Sequence, residues 1–387
     1  MIRLALISFW IFNSAVSFSQ NNNQFSIGQI DSIASTVLKE TRALYISLPA
    51  NYNLKTKYPV VYLLDGESHF HFFSGTVRHL SSSYVIPEMI VVGIVNTNRS
   101  RDLTPTHDAS NFDKSNGGGE MFTSFLEKEL VPYIDAQYST APYRLLVGHS
   151  LGGLLVVNSL LKHPALFTAY AAIDPSLWWN KIQLLEQSAG LLSRSQLNGK
   201  TLFLAISNSM PAGMSDTAQA KKDTTVATIG FRAPFLFEDQ LKQTTNKSFR
   251  WQSKYYPQES HGSIPLISSY DALKFIFDFY RRPSFQVLTD STASVLEGHY
   301  HKISEKMGYT ILPPESDLAG LAWRSSVMEK NFERALMFLQ LYERLYPDSP
   351  GVYDSWSRYY DAKGDEQKAK SFYEKAKAMR KKGAANK

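Results

Sequence analysis

Cysteine is absent from the chain, which excludes disulfides and a lipid-modified N-terminal cysteine and leaves the apolar core to hold the fold. Nor is there a run of the ~18 uninterrupted apolar residues that a transmembrane helix needs, so no membrane span is expected. Charge of one sign is scarce as well: 41 Lys and Arg against 35 Asp and Glu leave a net charge of only +6. The basic residues crowd at the far end (Lys368, Lys370, Lys375, Lys377, Arg380, Lys381, Lys382), the pattern of a solvated helix face. A nucleic-acid partner is therefore not expected.

At the other end, Arg3 precedes an apolar stretch over 4–12, with small residues Ser17 and Ser19 before Gln20. This reads as a signal peptide over 1–19, cleaved near Ser19, and predicts an exported protein.

The most informative stretch is 145–153, LLVGHSLGG, in which Gly148, Ser150 and Gly152 form G-x-S-x-G. An apolar strand-like run over 144–147 precedes it, and helical spacing of Leu151, Leu154, Leu155, Asn158 and Leu161 follows, up to His163 and Pro164. Strand, sharp turn and helix are the context of a nucleophile elbow, where a strained serine stands above a sheet between small residues.

The surrounding pattern alternates buried strands with amphipathic helices. After strand-like alternation over 25–50, continuous β-branched runs occupy 58–64 (YPVVYLL) and 89–95, and further strands are predicted at 167–173, 200–206 and 249–256. Helical spacing appears over 120–134, 227–244 and 265–280, with a polar insertion at 207–225. The expected class is α/β, with a mostly parallel central sheet flanked by helices and reactive groups at the C-terminal ends of the strands.

A serine needs a base to take its proton. Of nine histidines only His261 has a suitable address, in the loop 257–263 after the last predicted strand. His149 adjoins the serine, but its side chain is expected to project the other way from the turn. His69 with His71, and His299 with His301, lack a third ligand at sensible spacing, so neither a metal nor a cofactor is implied. The oxyanion donors are expected to be the amides of Leu151, just after the nucleophile, and Glu67, in the loop opened by Asp65 and Gly66. For the acid that orients His261, Asp174 at a strand end is preferred over Asp216 in the insertion or Glu259 beside the histidine; a dyad with no acid stays open.

Beyond Pro283 the pattern changes. At an offset of 34 residues Ala335 matches Ala369 and Leu339 matches Tyr373, with YPDSP between the units. Small and large residues alternating at that period resemble tetratricopeptide-type helical pairs, and two such pairs cannot bury their faces alone. They are expected to pack on the preceding domain or to offer a groove to a peptide or protein partner. The predicted division is a signal peptide at 1–19, an α/β-hydrolase domain at 25–283 and a helical region at 284–387.

Five segments together, YLLDG (62–66), NTNRSRDLTP (96–105), GHSLGG (148–153), DPSLWWN (174–180) and HGS (261–263), resemble the family of α/β-hydrolases named Putative esterase, which includes enterochelin-type and esterase-D-like enzymes. The resemblance runs over about 26–283. It implies an α/β-hydrolase fold with Ser150 and His261 as nucleophile and base. Many family members carry serine at the place of Asp174, some resemble dyad enzymes, and this chain has Ser207-Asn208-Ser209 where relatives with an acid after that strand have Asp or Glu. Arg99, Arg101 and Asp102 match an Arg-rich loop that lines the acid-binding end of a cleft or ties itself down by an ion pair; Trp178 and Trp179 wall the pocket or pack. The expected function is that of an exported serine ester hydrolase on a small-molecule or oligomeric ester. An acyltransferase, or a binding protein working through the repeats, is the alternative.

Overall fold

The computed structural model describes residues 25–281 and 283–385; the predicted signal peptide lies outside the described residues. β1 (Gln29–Ser35) and β2 (Glu40–Ser47) form an antiparallel hairpin, followed by β3 (Tyr58–Leu63), α1 (Gly66–Ser82), β4 (Ile90–Ile94) and the short α2 (Arg99–Leu103). α3 (Gly119–Phe125) and α4 (Val131–Gln137) are joined by a π-helical turn, and β5 (Thr140–His149) leads into α5 (Leu151–Lys162). Then come β6 (Ala169–Ile173), α6 (Trp179–Arg194), β7 (Thr201–Ser207), α7 (Thr217–Lys222), α8 (Ile229–Lys242), β8 (Arg250–Tyr256) and α9 (Ile264–Ile276). The chain ends in α10 (Thr292–Met307), α11 (Glu315–Trp323), α12 (Phe332–Leu345), α13 (Pro350–Ala362) and α14 (Glu366–Ala385). No helix among the described residues is long and apolar enough to cross a membrane.

The eight strands make one sheet in the order β1-β2-β4-β3-β5-β6-β7-β8, antiparallel only at β1–β2 and β2–β4. Burial explains which strands read most clearly in sequence. β3, β4, β6 and β7 are buried at every position, because helices cover both faces, and each is an apolar or β-branched run, broken only by Ser207 at the end of β7. The edge strands β1 and β8 alternate between exposed and covered positions. Pleating divides β3 between two cores: Val60 and Tyr62 join the core beneath α3–α6 and α8, whereas Val61 and Leu63 join the core beneath α1 and α9.

That second core continues without interruption into the C-terminal helices, where Leu296, Leu318, Ala335, Leu339 and Trp356 belong to the same cluster as Val61 and Phe277. α11 packs on α12 and α13 on α14, and the second pair is closed by near-parallel rings of Trp356, Tyr360 and Phe372, with centroids 5.5–5.9 Å apart. Ala335 and Ala369 are both buried and Leu339 is buried, but Tyr373 is 51% exposed. The sequence match at that position is therefore not matched in burial.

Candidate active site

β5 ends at His149 and α5 begins at Leu151, so Ser150 occupies the turn alone, with φ 60° and ψ −117°. Such backbone costs about 1–3 kcal/mol in a non-glycine residue and survives only where the surroundings dictate it. Here they do. A Cβ on Gly148 would lie 2.4 Å from the carbonyl carbon and oxygen of Gly152, so only glycine lets the chain reverse this tightly. The Ser150 amide donates to the Ile173 carbonyl at 3.0 Å, and the Ser150 carbonyl accepts from the Ser176 amide at 3.0 Å, fastening the turn to the end of β6.

The residues singled out from sequence converge on this turn. His261 Nε2 is 3.0 Å from Ser150 Oγ, and His261 Nδ1 is 2.5 Å from Asp174 Oδ2. A carboxylate only accepts, so Nδ1 carries the proton and Nε2 presents its lone pair to the serine hydroxyl. Asp174 is almost fully buried. Burial alone would raise its carboxyl, but hydrogen bonds from His261 and Ser207 outweigh that effect and hold it below the usual carboxylate range. Of the other acids weighed from sequence, the Asp216 carboxylate caps α7 through the Ala218 amide at 2.8 Å, and Glu259, two residues before the histidine, is not the carboxylate that meets its ring, which is Asp174.

Leu151 and Glu67 lie in the first turns of α5 and α1, where amides have no acceptor within their own helix. The two helix starts abut, since a Cβ on Gly152 would meet Leu64 Cβ at 3.4 Å and Asp65 Oδ2 at 3.2 Å. Asp65 itself adopts a left-handed conformation (φ 54°) and is fixed by Arg99, whose Nε and Nη2 reach its two oxygens at 2.6 and 3.0 Å. Arg101 and Asp102 instead tie the loop to β2: Asp102 bridges Arg101 and the buried Arg42, each at 2.7 Å. The two tryptophans also separate. Trp179 is buried and donates to the Thr106 carbonyl at 2.9 Å, whereas Trp178 is 42% exposed.

Three residues of this cluster were not singled out from sequence. Ser207, at the end of β7, donates through Oγ to Asp174 Oδ2 at 2.5 Å and through N–H to Oδ1 at 2.9 Å. The residue standing where an acid was sought thus braces the acid one strand away. Ser176 Oγ lies 3.2 Å from Ser150 Oγ. The third is His149, whose expected direction is wrong: its ring centroid is 4.5 Å from that of His261. Strand parity is the reason. Leu145 and Val147 face the core beneath α1 and α9, and His149, two residues on, emerges on the same side, where the His261 loop leads into α9.

Residues 35–260 match the family described as Putative esterase. The chain is 31% identical to ferri-bacillibactin esterase BesA of Bacillus subtilis over 207 residues, 48% of this chain and 71% of that protein. An IroE-like serine hydrolase from Shewanella oneidensis superposes with a TM-score of 0.68 at 32% identity, over 82% of this chain and 99% of that one. An uncharacterised protein from Capnocytophaga ochracea shares the fold at 19% identity, with a TM-score of 0.65 over 90% of this chain and 93% of its own.

Proposed function

Since the chain belongs to the Putative esterase family and is a carboxylic ester hydrolase, we propose that it works through Ser150, His261 and Asp174 by an acyl-enzyme mechanism. The observation that carries this reading is the unbroken line of contacts from Ser150 Oγ through His261 Nε2 and Nδ1 to Asp174 Oδ2. Ser150 Oγ attacks the ester carbonyl as His261 Nε2 takes its proton; Asp174 holds the imidazole in the required tautomer and balances its charge. The carbonyl oxygen, now negative, accepts from the Leu151 and Glu67 amides. Collapse expels the alcohol, which receives the proton from His261. Water activated by the same histidine then releases the acid and restores Ser150.

The substrate class we propose is the ester linkage of a siderophore, a reading supported by the name of the Bacillus subtilis relative. Export is proposed from the charged, apolar and small-residue order of residues 1–19. The paired C-terminal helices are read as tetratricopeptide-type units, since α12 and α14 start at Phe332 and Glu366, the sequence offset of the repeat.

Steady-state hydrolysis of a ferri-siderophore ester and of a p-nitrophenyl ester tests the reading. Ser150→Ala and His261→Ala are each expected to lower kcat by about 10⁴-fold or more, and Asp174→Asn by about 10³–10⁴-fold. Retention of turnover by a folded Ser150→Ala protein overturns the mechanism. A ferri-siderophore ester hydrolysed no better than the simple ester overturns the substrate class. Intact mass of enzyme recovered from the exported fraction reads the cleavage near Ser19.

A further inference from the structure

None of the steps above employs His149, although it stands directly before the nucleophile. Its Nε2 lies 2.8 Å from the main-chain carbonyl oxygen of His261. A carbonyl only accepts, so His149 is held as the Nε2–H tautomer and donates to the base residue itself. The ring is wedged in place: His261 lies on one side at 4.5 Å, and His69 meets it edge-on at 5.6 Å on another, itself packed against Phe72 at 5.5 Å. The His149 main chain is fixed too, because its carbonyl accepts from Arg99 Nη2 at 3.4 Å.

His261 is held through its ring by Asp174, but its main chain sits in an exposed loop. That loop is closed on itself around His261, with Ser260 N–H donating to Ser263 Oγ at 2.9 Å and the Ser263 and Ile264 amides to the Ser260 carbonyl at 3.2 and 3.1 Å; upstream it is tied to the end of β7 by Asn208, whose N–H donates to the Glu259 carbonyl at 2.8 Å and whose Nδ2 donates to the Pro257 carbonyl at 3.0 Å. We infer that His149 is a positioning residue: its N–H to the His261 carbonyl fixes the base loop against the elbow and so sets the approach of His261 Nε2 to Ser150 Oγ. The inference rests on the Ser150, His261 and Asp174 mechanism proposed above. Burial, followed by the nearby imidazoles of His261 and His69, pushes the His149 ring down to about 4. It therefore remains neutral while His261 passes through its charged form, and sets no second positive charge against that step.

The expected signature is a loss in kcat without a loss in binding, since misplacing a catalytic group by about 1 Å costs up to about 100-fold. The test compares His149→Leu, His149→Asn and His149→Gln with the parent in p-nitrophenyl ester hydrolysis and in the rate of labelling by a fluorophosphonate. Glutamine carries an amide nitrogen at about the reach of imidazole Nε2; asparagine is too short. Leu and Asn are predicted to lower kcat and the labelling rate together, by about 10–100-fold, with KM nearly unchanged, and Gln to recover most of the loss. Should Leu fail to fold, the contrast between Asn and Gln decides. Retention of full kcat by folded Leu and Asn variants overturns the role, as does equal loss in Asn and Gln. A Ser150→Ala control that still turns over and still labels overturns the underlying mechanism and this inference with it.

Discussion

Asp174 shows how a single carboxylate is made serviceable in a nearly dry setting. It accepts from His261 Nδ1, Ser207 Oγ and Ser207 N–H, so the lone pairs that burial strips of water are given back as charge-assisted hydrogen bonds. Ser176 adds a further constraint: with the Ser150 hydroxyl committed to His261 Nε2, the Ser176 hydroxyl is the donor across their 3.2 Å contact. His149 supplies a prediction about stability. An unfolded histidine titrates near 6.5, whereas folding pushes this one down to about 4 through burial and then the adjacent His261 and His69. Between those values the unfolded chain binds the extra proton, so the contribution of His149 is complete above about pH 6.5 and disappears as the pH falls toward 4. His69, also lowered by burial, acts in the same direction. Urea unfolding at pH 7 and pH 4.5 should therefore show a smaller loss of stability for His149→Gln than for the parent; equal losses would mean that the ring is not held neutral.

The elements owe their functional value to where they begin. α5 and α1 both start at the C-terminal ends of parallel strands and abut at Gly152, the arrangement that the proposed Leu151 and Glu67 oxyanion donors require. The elbow is the narrowest passage in this arrangement. Gly148→Ala forces a Cβ to within 2.4 Å of the Gly152 carbonyl and is predicted to cost about 2 kcal/mol or more, measured by urea unfolding, with loss of esterase activity. Wild-type stability and turnover would contradict this account of the turn. The elbow was legible because strand, turn and helix each carry their own chemistry, and the buried central strands were legible because burial on both faces leaves few polar positions, such as Ser207 at the end of β7. α1 escaped notice although Phe70, Phe73, Val77 and Leu80 form a buried stripe: its serines, histidines and Gly75 are poor helix formers. α6 escaped because it opens through a left-handed turn at Asn180, Lys181 and Ile182, which helical periodicity does not anticipate.

On the scale of the whole molecule, the sheet separates two cores with different neighbours. One lies beneath α3–α6 and α8; the other is shared between the sheet and the C-terminal helices, which thereby cover one face of the catalytic body. The 34-residue spacing indicated helices in pairs near the C-terminus, with packing on the preceding domain as one of two expectations; the helices do join the sheet's core, and α10, which the spacing did not indicate, intervenes. The site divides in the same way. Ser150, His261 and Asp174 were readable because each ends a strand or follows one, and topology alone brings strand ends together. Ser207, Ser176 and His149 were not, since their place in the cluster depends on which atoms meet across strands distant in sequence.

The central claim, that Ser150 is an activated nucleophile, is tested most directly by mass spectrometry of the tryptic peptide 145–162 after fluorophosphonate treatment. The peptide also contains Ser159, which is buried. The account predicts one adduct per chain, localised to Ser150 by fragmentation, absent in Ser150→Ala and formed far more slowly in His261→Ala. An unmodified peptide, or an adduct that persists in Ser150→Ala, would contradict it.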